Sequence, residues 1–211
     1  MSLTNVQATS GKKKFSRLED GTYMCRVVQL IDLGVQEDEY EGEKKVGHKI
    51  FINFEFPTEM IMINEEEKPR WLGKEFGVSL HEKSVLTKLI AAADPDGKAT
   101  SKGRNLKGLL NLPLMVTVGS TATGNAKIAG LARLMKGMTV PELVNPVVFF
   151  DLDGGDLEQF EKLPEWVQGK ITSSVDFDDT QFAKVQKAKA KDKYEQTPAT
   201  SIEDMVSDSP Y

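Results

Sequence analysis

The sequence predicts a mainly β protein: one small five-stranded barrel, a helix between its third and fourth strands, further helices after the barrel, and an acidic tail. Three observations predict it. Residues 48–59, HKIFINFEFPTE, alternate between apolar and polar side chains, the period-two signature of a half-buried strand. Further β-branched, apolar segments lie on either side, bounded by Gly, Asn and Asp turn signals. The clearest helical stripe, Val85, Leu86, Leu89, Ile90 and Ala93, falls between the third and fourth strand segments.

Each element follows in order. Residues 1–18 are polar, carry Lys12 to Lys14, and read as a flexible basic arm. The turn Glu19-Asp20-Gly21 leads into a first strand, Thr22 to Ile31, in which Cys25 faces the core and Arg26 takes the opposite parity. Asp32 to Gly47, rich in Gly, Glu and Lys, reads as a loop or hairpin arm. In the second strand Ile50, Ile52, Phe54 and Phe56 form a core face. Lys49, Phe51, Asn53 and Glu55 form a polar face with one aromatic. A third strand, Trp71 to Leu80, turns Leu72, Phe76, Val78 and Leu80 inward and Trp71, Glu75 and Ser79 outward. Ser79-Leu80-His81-Glu82 has capping-box spacing and opens the helix; Asp94-Pro95-Asp96-Gly97 closes it.

Residues 98–111 form a basic loop with Lys98, Lys102, Arg104 and Lys107. Leu112 to Val118 and Ala126 to Leu131 are the fourth and fifth strands, joined at Thr123-Gly124-Asn125, and Val147 to Phe150 is a short closing strand. FEKLPEWVQGKI reads as a short helix packing on the core, and 182–193 as a marginal polar helix. The expected division is an arm (1–18), a barrel domain (19–175), a linker or marginal helix (176–194) and a disordered acidic tail (195–211).

Composition narrows the classes of function. With 39% hydrophobic and 28% charged residues the chain reads as soluble. It has no apolar run near the roughly 20 residues of a membrane helix, and its first residues do not read as a secretory signal. A lone cysteine excludes an internal disulfide, and with only His48 and His81 beside it a structural zinc site is not expected. A reducing cytoplasm fits. The net charge is −5, but residues 1–150 hold 20 basic and 18 acidic side chains, against 7 and 14 beyond. The acidity belongs to the C-terminal part, leaving the first part able to carry a local basic surface.

Three strands, a helix and two strands is the order of an OB-fold, a Greek-key barrel that binds oligonucleotides on its second and third strands and nearby loops. Single-strand binders need aromatic faces for bases and cations for phosphates. The parity places Phe51 and Trp71 on the binding face with Asn53 beside them, and Lys49, Lys74, Arg26 and Lys127 are the candidate phosphate contacts. The bland alternatives are burial of each ring under a loop or subunit contact, and simple solvation of each cation.

The segments GTYMCRVVQLIDLGVQ, GHKIFINFEFPTE, KPRWLGKEFGVSLHEKSVLTKLI and FEKLPEWVQGKI resemble a family of single-stranded DNA-binding proteins of tailed bacteriophages, over roughly residues 20–175. The resemblance implies an OB-fold that coats single-stranded DNA during phage replication or recombination in the cytoplasm of an infected bacterium. The C-terminal Glu203, Asp204 and Asp208, ending in Pro210-Tyr211, are similar to the acidic tails of such proteins. Those tails compete with DNA and recruit replication or recombination partners.

Other classes were weighed. GxxxxGK[ST], GxSxG and HExxH are all missing from the sequence. Asp32, Asp38 and Glu55 could hold Mg²⁺ for a nuclease, though their spacing does not favour it over loop solvation, and Asp151, Asp153 and Asp156 match a calcium loop only superficially. The expectation is therefore a non-enzyme without cofactor or metal. The alternatives are a Mg²⁺-dependent nuclease and a β-barrel interaction protein with no DNA affinity.

Overall fold

Three long strands open the fold: β1 (Gly21–Tyr40), β2 (Glu43–Ile63) and β3 (Glu66–Gly77). The computed structural model describes residues 17–40, 42–154 and 156–195. β2 and β3 are joined by Asn64 and Glu65, both left-handed at φ 53° and 68°. Two consecutive positive φ values are what a two-residue hairpin loop needs to match the twist of its strands.

β1 runs nine residues beyond its expected end at Ile31. Gly34 has φ 71°, and the Asp32 carboxylate accepts its N–H at 2.9 Å. This bend keeps the chain extended where the Gly and the acidic residues read as a loop. Residues 37–39 and 43–48 are exposed whichever way they point, so no alternation marked them as strand.

β4 (Pro113–Ser120) pairs antiparallel with β1 over Gly21–Arg26 and with β5 (Ala126–Ala132). β6 (Val148–Phe150) pairs parallel with β1 at Gln29–Ile31. The sheet order is β3-β2-β1-β4-β5, with β6 on β1. Helix α1 (Val85–Ala93) lies between β3 and β4 in the chain; α2 (Leu157–Glu161), α3 (Glu165–Thr172) and α4 (Gln181–Glu195) follow β6. The fold is mainly β, with the expected order of three strands, a helix and two strands.

The contacts divide the described chain into two units. The first holds residues 17–28, 53–74 and 81–147. Its core includes Cys25, Val27, Phe54, Phe56, Leu114 and Val116, all at 0% exposure. Tyr23 meets Phe56 edge to face at 6.0 Å. Burial pushes the Cys25 thiol pKa up. The second unit holds residues 29–52, 75–80 and 148–195. Its core joins Ile31, Leu33 and Phe150 to Phe160, Ile171 and Phe182. Phe182, from the segment expected to be a linker or marginal helix, is buried in the first turn of α4.

Several sequence expectations are corrected. The α1 cap is Ser84, whose Oγ accepts the Thr87 N–H at 3.0 Å, and not Ser79. Val78 and Leu80 are 42% and 54% exposed, because β3 ends at Gly77 and its parity ends with it. FEKLPEWVQGKI forms two helices rather than one, divided at Pro164, which precedes α3. Residues 1–16 of the expected arm lie outside the described residues. Leu18 is buried, and Arg17 donates to Ser120 Oγ at 2.6 Å and to the Gly124 carbonyl at 2.8 Å.

Close packing around Gly108 gives a stability test. A Cβ there would lie 1.9 Å from the Ala99 carbonyl oxygen, whereas Gly77 has nothing within 4 Å. Gly108→Ala is expected to cost about 1–3 kcal/mol or more, and Gly77→Ala to stay within about 0.5 kcal/mol of the parent, both read by urea unfolding.

Candidate nucleic-acid interface

The site is built on two neighbouring strands, β2 and β3, and on the segment before β6. Glu55 of β2 has the parity of a solvent-facing residue, yet it is completely buried. Its Oε1 accepts the Val144 N–H at 2.7 Å. Its Oε2 accepts Asn145 Nδ2 at 2.7 Å, Trp71 Nε1 at 3.0 Å and the Asn145 N–H at 3.3 Å. A buried carboxylate is tolerable only when its acceptor sites are filled in this way. One residue thus fixes both the Trp71 indole and the 144–145 segment.

Trp71 remains 40% exposed. It forms a wall of a cleft of about 510 Å³ whose apolar lining includes Leu18, Ile61, Ile63 and Leu72. Three cationic residues, Arg17, Lys68 and Arg70, also line it, and no Asp or Glu does. The Arg17 contacts to Ser120 and Gly124 are to uncharged oxygens, so they orient the guanidinium without neutralising it. Lys68 pairs with Glu66 at 2.8 Å, both side chains being well exposed, which makes the pair weak. The cleft therefore offers a fixed aromatic face, apolar walls and a cationic margin.

The other sequence candidates are dispersed. Asn53 is half-buried on β2. Lys74 Nζ donates to the Ile128 carbonyl at 3.4 Å and lines, with Lys88, a smaller cavity of about 160 Å³. Lys127 is exposed on β5, next to Ala126 of the cleft lining. Arg26 is a brace: its guanidinium donates to the Pro141, Asn111 and Val140 carbonyls at 2.8, 2.8 and 3.0 Å and pairs with Glu142 at 2.9 Å.

Phe51 and Lys49 belong to the second unit. The Phe51 ring packs against that unit's core and meets Trp166 edge to face, with centroids 5.0 Å apart. Lys49 is ion-paired with Asp38. Glu203, Asp204, Asp208, Pro210 and Tyr211 lie outside the described residues.

Five of the six carboxylates named as possible metal ligands have other partners. Asp32 binds His48, Asp38 binds Lys49, and Glu55 holds Trp71. Asp151 accepts the N–H groups of Asp153 and Gly154, and Asp156 caps α2. Among the described residues no group of three or more His, Cys, Asp or Glu side chains is placed to hold a metal ion. Among them, too, no helix is long and apolar enough to cross a membrane.

Sequence reasoning missed the role of Glu55 and the cations of the cleft. Lys68 and Arg70 stood in plain view in the run Lys68-Pro69-Arg70-Trp71. Arg17 was hidden in the presumed arm.

No family model, no curated protein and no solved structure matches the chain.

The second unit carries a titratable contact. His48 Nε2 lies 2.5 Å from Asp32 Oδ1. The hydrogen bond to Asp32 raises the imidazole pKa above its ordinary 6.5; partial burial opposes the rise, while the charges of Asp32, Asp176 and Asp153 add to it. A raised folded-state value means the contact stabilises fully below pH 6.5 and is lost as pH climbs through that value. Urea midpoints are expected to fall over this window in the parent and to fall less in His48→Gln.

Proposed function

We propose that this chain binds single-stranded DNA without chemical turnover and without preference for sequence. The carrying observation is the Trp71 ring, exposed and anchored by Glu55 on the wall of a cleft lined by three cations and no carboxylate. Stacking of bases on such a ring contributes typically about 1–3 kcal/mol each, and the cations meet the phosphates. The resemblance of the sequence to phage single-strand binders points the same way, and coating DNA during phage replication or recombination is the biological role we assign.

On this reading the sheet is the partly open barrel of an OB-fold. The order β3-β2-β1-β4-β5 leaves β3 and β5 as the strands that close it. The Lys74 side chain of β3 reaching the Ile128 carbonyl of β5 supports closure there, as does the packing of α1 against β4 and β5. The binding residues are Trp71 with Arg17, Lys68 and Arg70, and Lys127 and Lys74 extend the basic surface.

Trp71→Ala is expected to weaken binding to an oligo-dT strand by roughly 5- to 150-fold with an unchanged circular dichroism spectrum. Phe51→Ala, which removes a ring from the second unit's core, is expected to lower the melting temperature and leave affinity near that of the parent. Equal affinity of Trp71→Ala and parent would discard the cleft as the site. We further propose that the acidic tail competes with DNA for the cations. Removal of residues 196–211 is then expected to tighten binding at low salt in a titration, and an unchanged affinity would remove the tail from the account.

A further inference from the structure

The basic loop after α1 is a rigid platform, held by hydrogen bonds within itself. Asp94, the C-cap residue of α1, is buried and folds the loop around itself. It accepts the Thr100 N–H and hydroxyl, both at 2.8 Å, and the Lys98 N–H at 3.2 Å. Thr100 is completely buried and in turn accepts the Gly103 N–H on its Oγ1 at 3.2 Å. The Thr100 N–H foremost holds the Asp94 carboxyl below its ordinary value, so the knot stays ionised. The Lys102, Arg104 and Asn105 N–H groups are also taken up by carbonyls of the same loop.

The loop holds a costly backbone. Ser101 and Lys102 have φ 50° and 58°, between Gly97 at 64° and Gly103 at 86°. Left-handed non-glycine residues persist only where the surroundings impose them. The Ala99 carbonyl packed on Gly108 is one such imposition.

Lys98, Lys102 and Arg104 are exposed and make no ion pair among the described residues. Several cations elsewhere are matched by carboxylates: Arg26 with Glu142, Lys49 with Asp38, Lys170 with Glu75, Lys187 with Asp178. Three exposed cations within seven residues on a stiff backbone attract a polyanion. No large apolar side chain is exposed between Lys98 and Arg104, so the loop has nothing to insert into a lipid layer.

We propose that the loop Lys98–Arg104 is a second phosphate-binding site, one that holds the backbone of a single strand through Lys98, Lys102 and Arg104 and makes no use of stacking. The proposal rests on the DNA-binding reading above and adds a contact that the Trp71 cleft does not contain. Each phosphate neutralised on a single strand contributes about 0.7 to the slope of log K against log salt.

The test is a salt titration of the full chain with a fluorescein-labelled oligo-dT, comparing the parent, the triple variant Lys98→Ala/Lys102→Ala/Arg104→Ala, and Trp71→Ala. The triple variant is expected to give a slope shallower by about 2, with a wild-type melting temperature. Trp71→Ala is expected to lose affinity with little change of slope. An unchanged slope in the triple variant overturns the loop site while leaving the cleft intact. A parent that fails to bind the oligonucleotide at low salt overturns both readings. A triple variant that keeps the parental slope but no longer sediments with phosphatidylserine vesicles overturns the loop site in favour of a lipid headgroup.

Discussion

Glu55 occupies a strand position that alternation assigns to solvent, and it takes four N–H donors there instead. No cation neutralises it in those contacts; donors alone do. A buried acceptor of this kind is worth most through what its loss would expose. Without the carboxylate, an indole N–H, two backbone N–H groups and an amide would each lack a partner, at about 1–3 kcal/mol per group. The wall of the cleft and the segment ahead of β6 therefore depend on the same side chain. Few single residues in the chain couple a surface feature so directly to the interior.

The electrostatic pattern extends this. The whole chain is net negative, and several of its cations are matched by carboxylates at the surface. Surface pairs of that sort add little stability, but they cancel fields. Where cancellation is missing, the field survives. In the first unit Arg17 is held by neutral oxygens, and Lys98, Lys102 and Arg104 lie exposed on the loop built around Asp94. Net charge was thus a poor guide to this protein, and charge pairing is a better one.

The strands and their order were legible because alternation is a local property. Ile50, Ile52, Phe54 and Phe56 are all buried, as are Leu114, Val116 and Val118. The lengths were not legible, since the outer parts of β1 and β2 have no buried face to write a pattern. Nor was the fate of the two aromatics on the polar faces. Phe51 and Trp71 give the same signal in sequence: a ring among charged neighbours. What separates them is occlusion by residues far along the chain. Trp166 meets Phe51 edge to face, whereas Trp71 is engaged at its N–H by Glu55 and stays 40% exposed. The bracing contacts of Arg26 were hidden for the same reason, its carbonyl partners lying 85 to 115 positions away.

The Glu55 contact also determines what the Trp71 ring is able to recognise. Indole has one hydrogen-bond donor and no acceptor, and here the donor is already taken. On the proposed reading, a base stacked on this ring would meet a π face with no free donor on the indole, and stacking there would reward every base alike. The ring is also held before the ligand comes, so little side-chain freedom remains to be lost on binding. One hydrogen bond, turned inward, thus pre-organises the ring and leaves the indole itself no group with which to read a base edge.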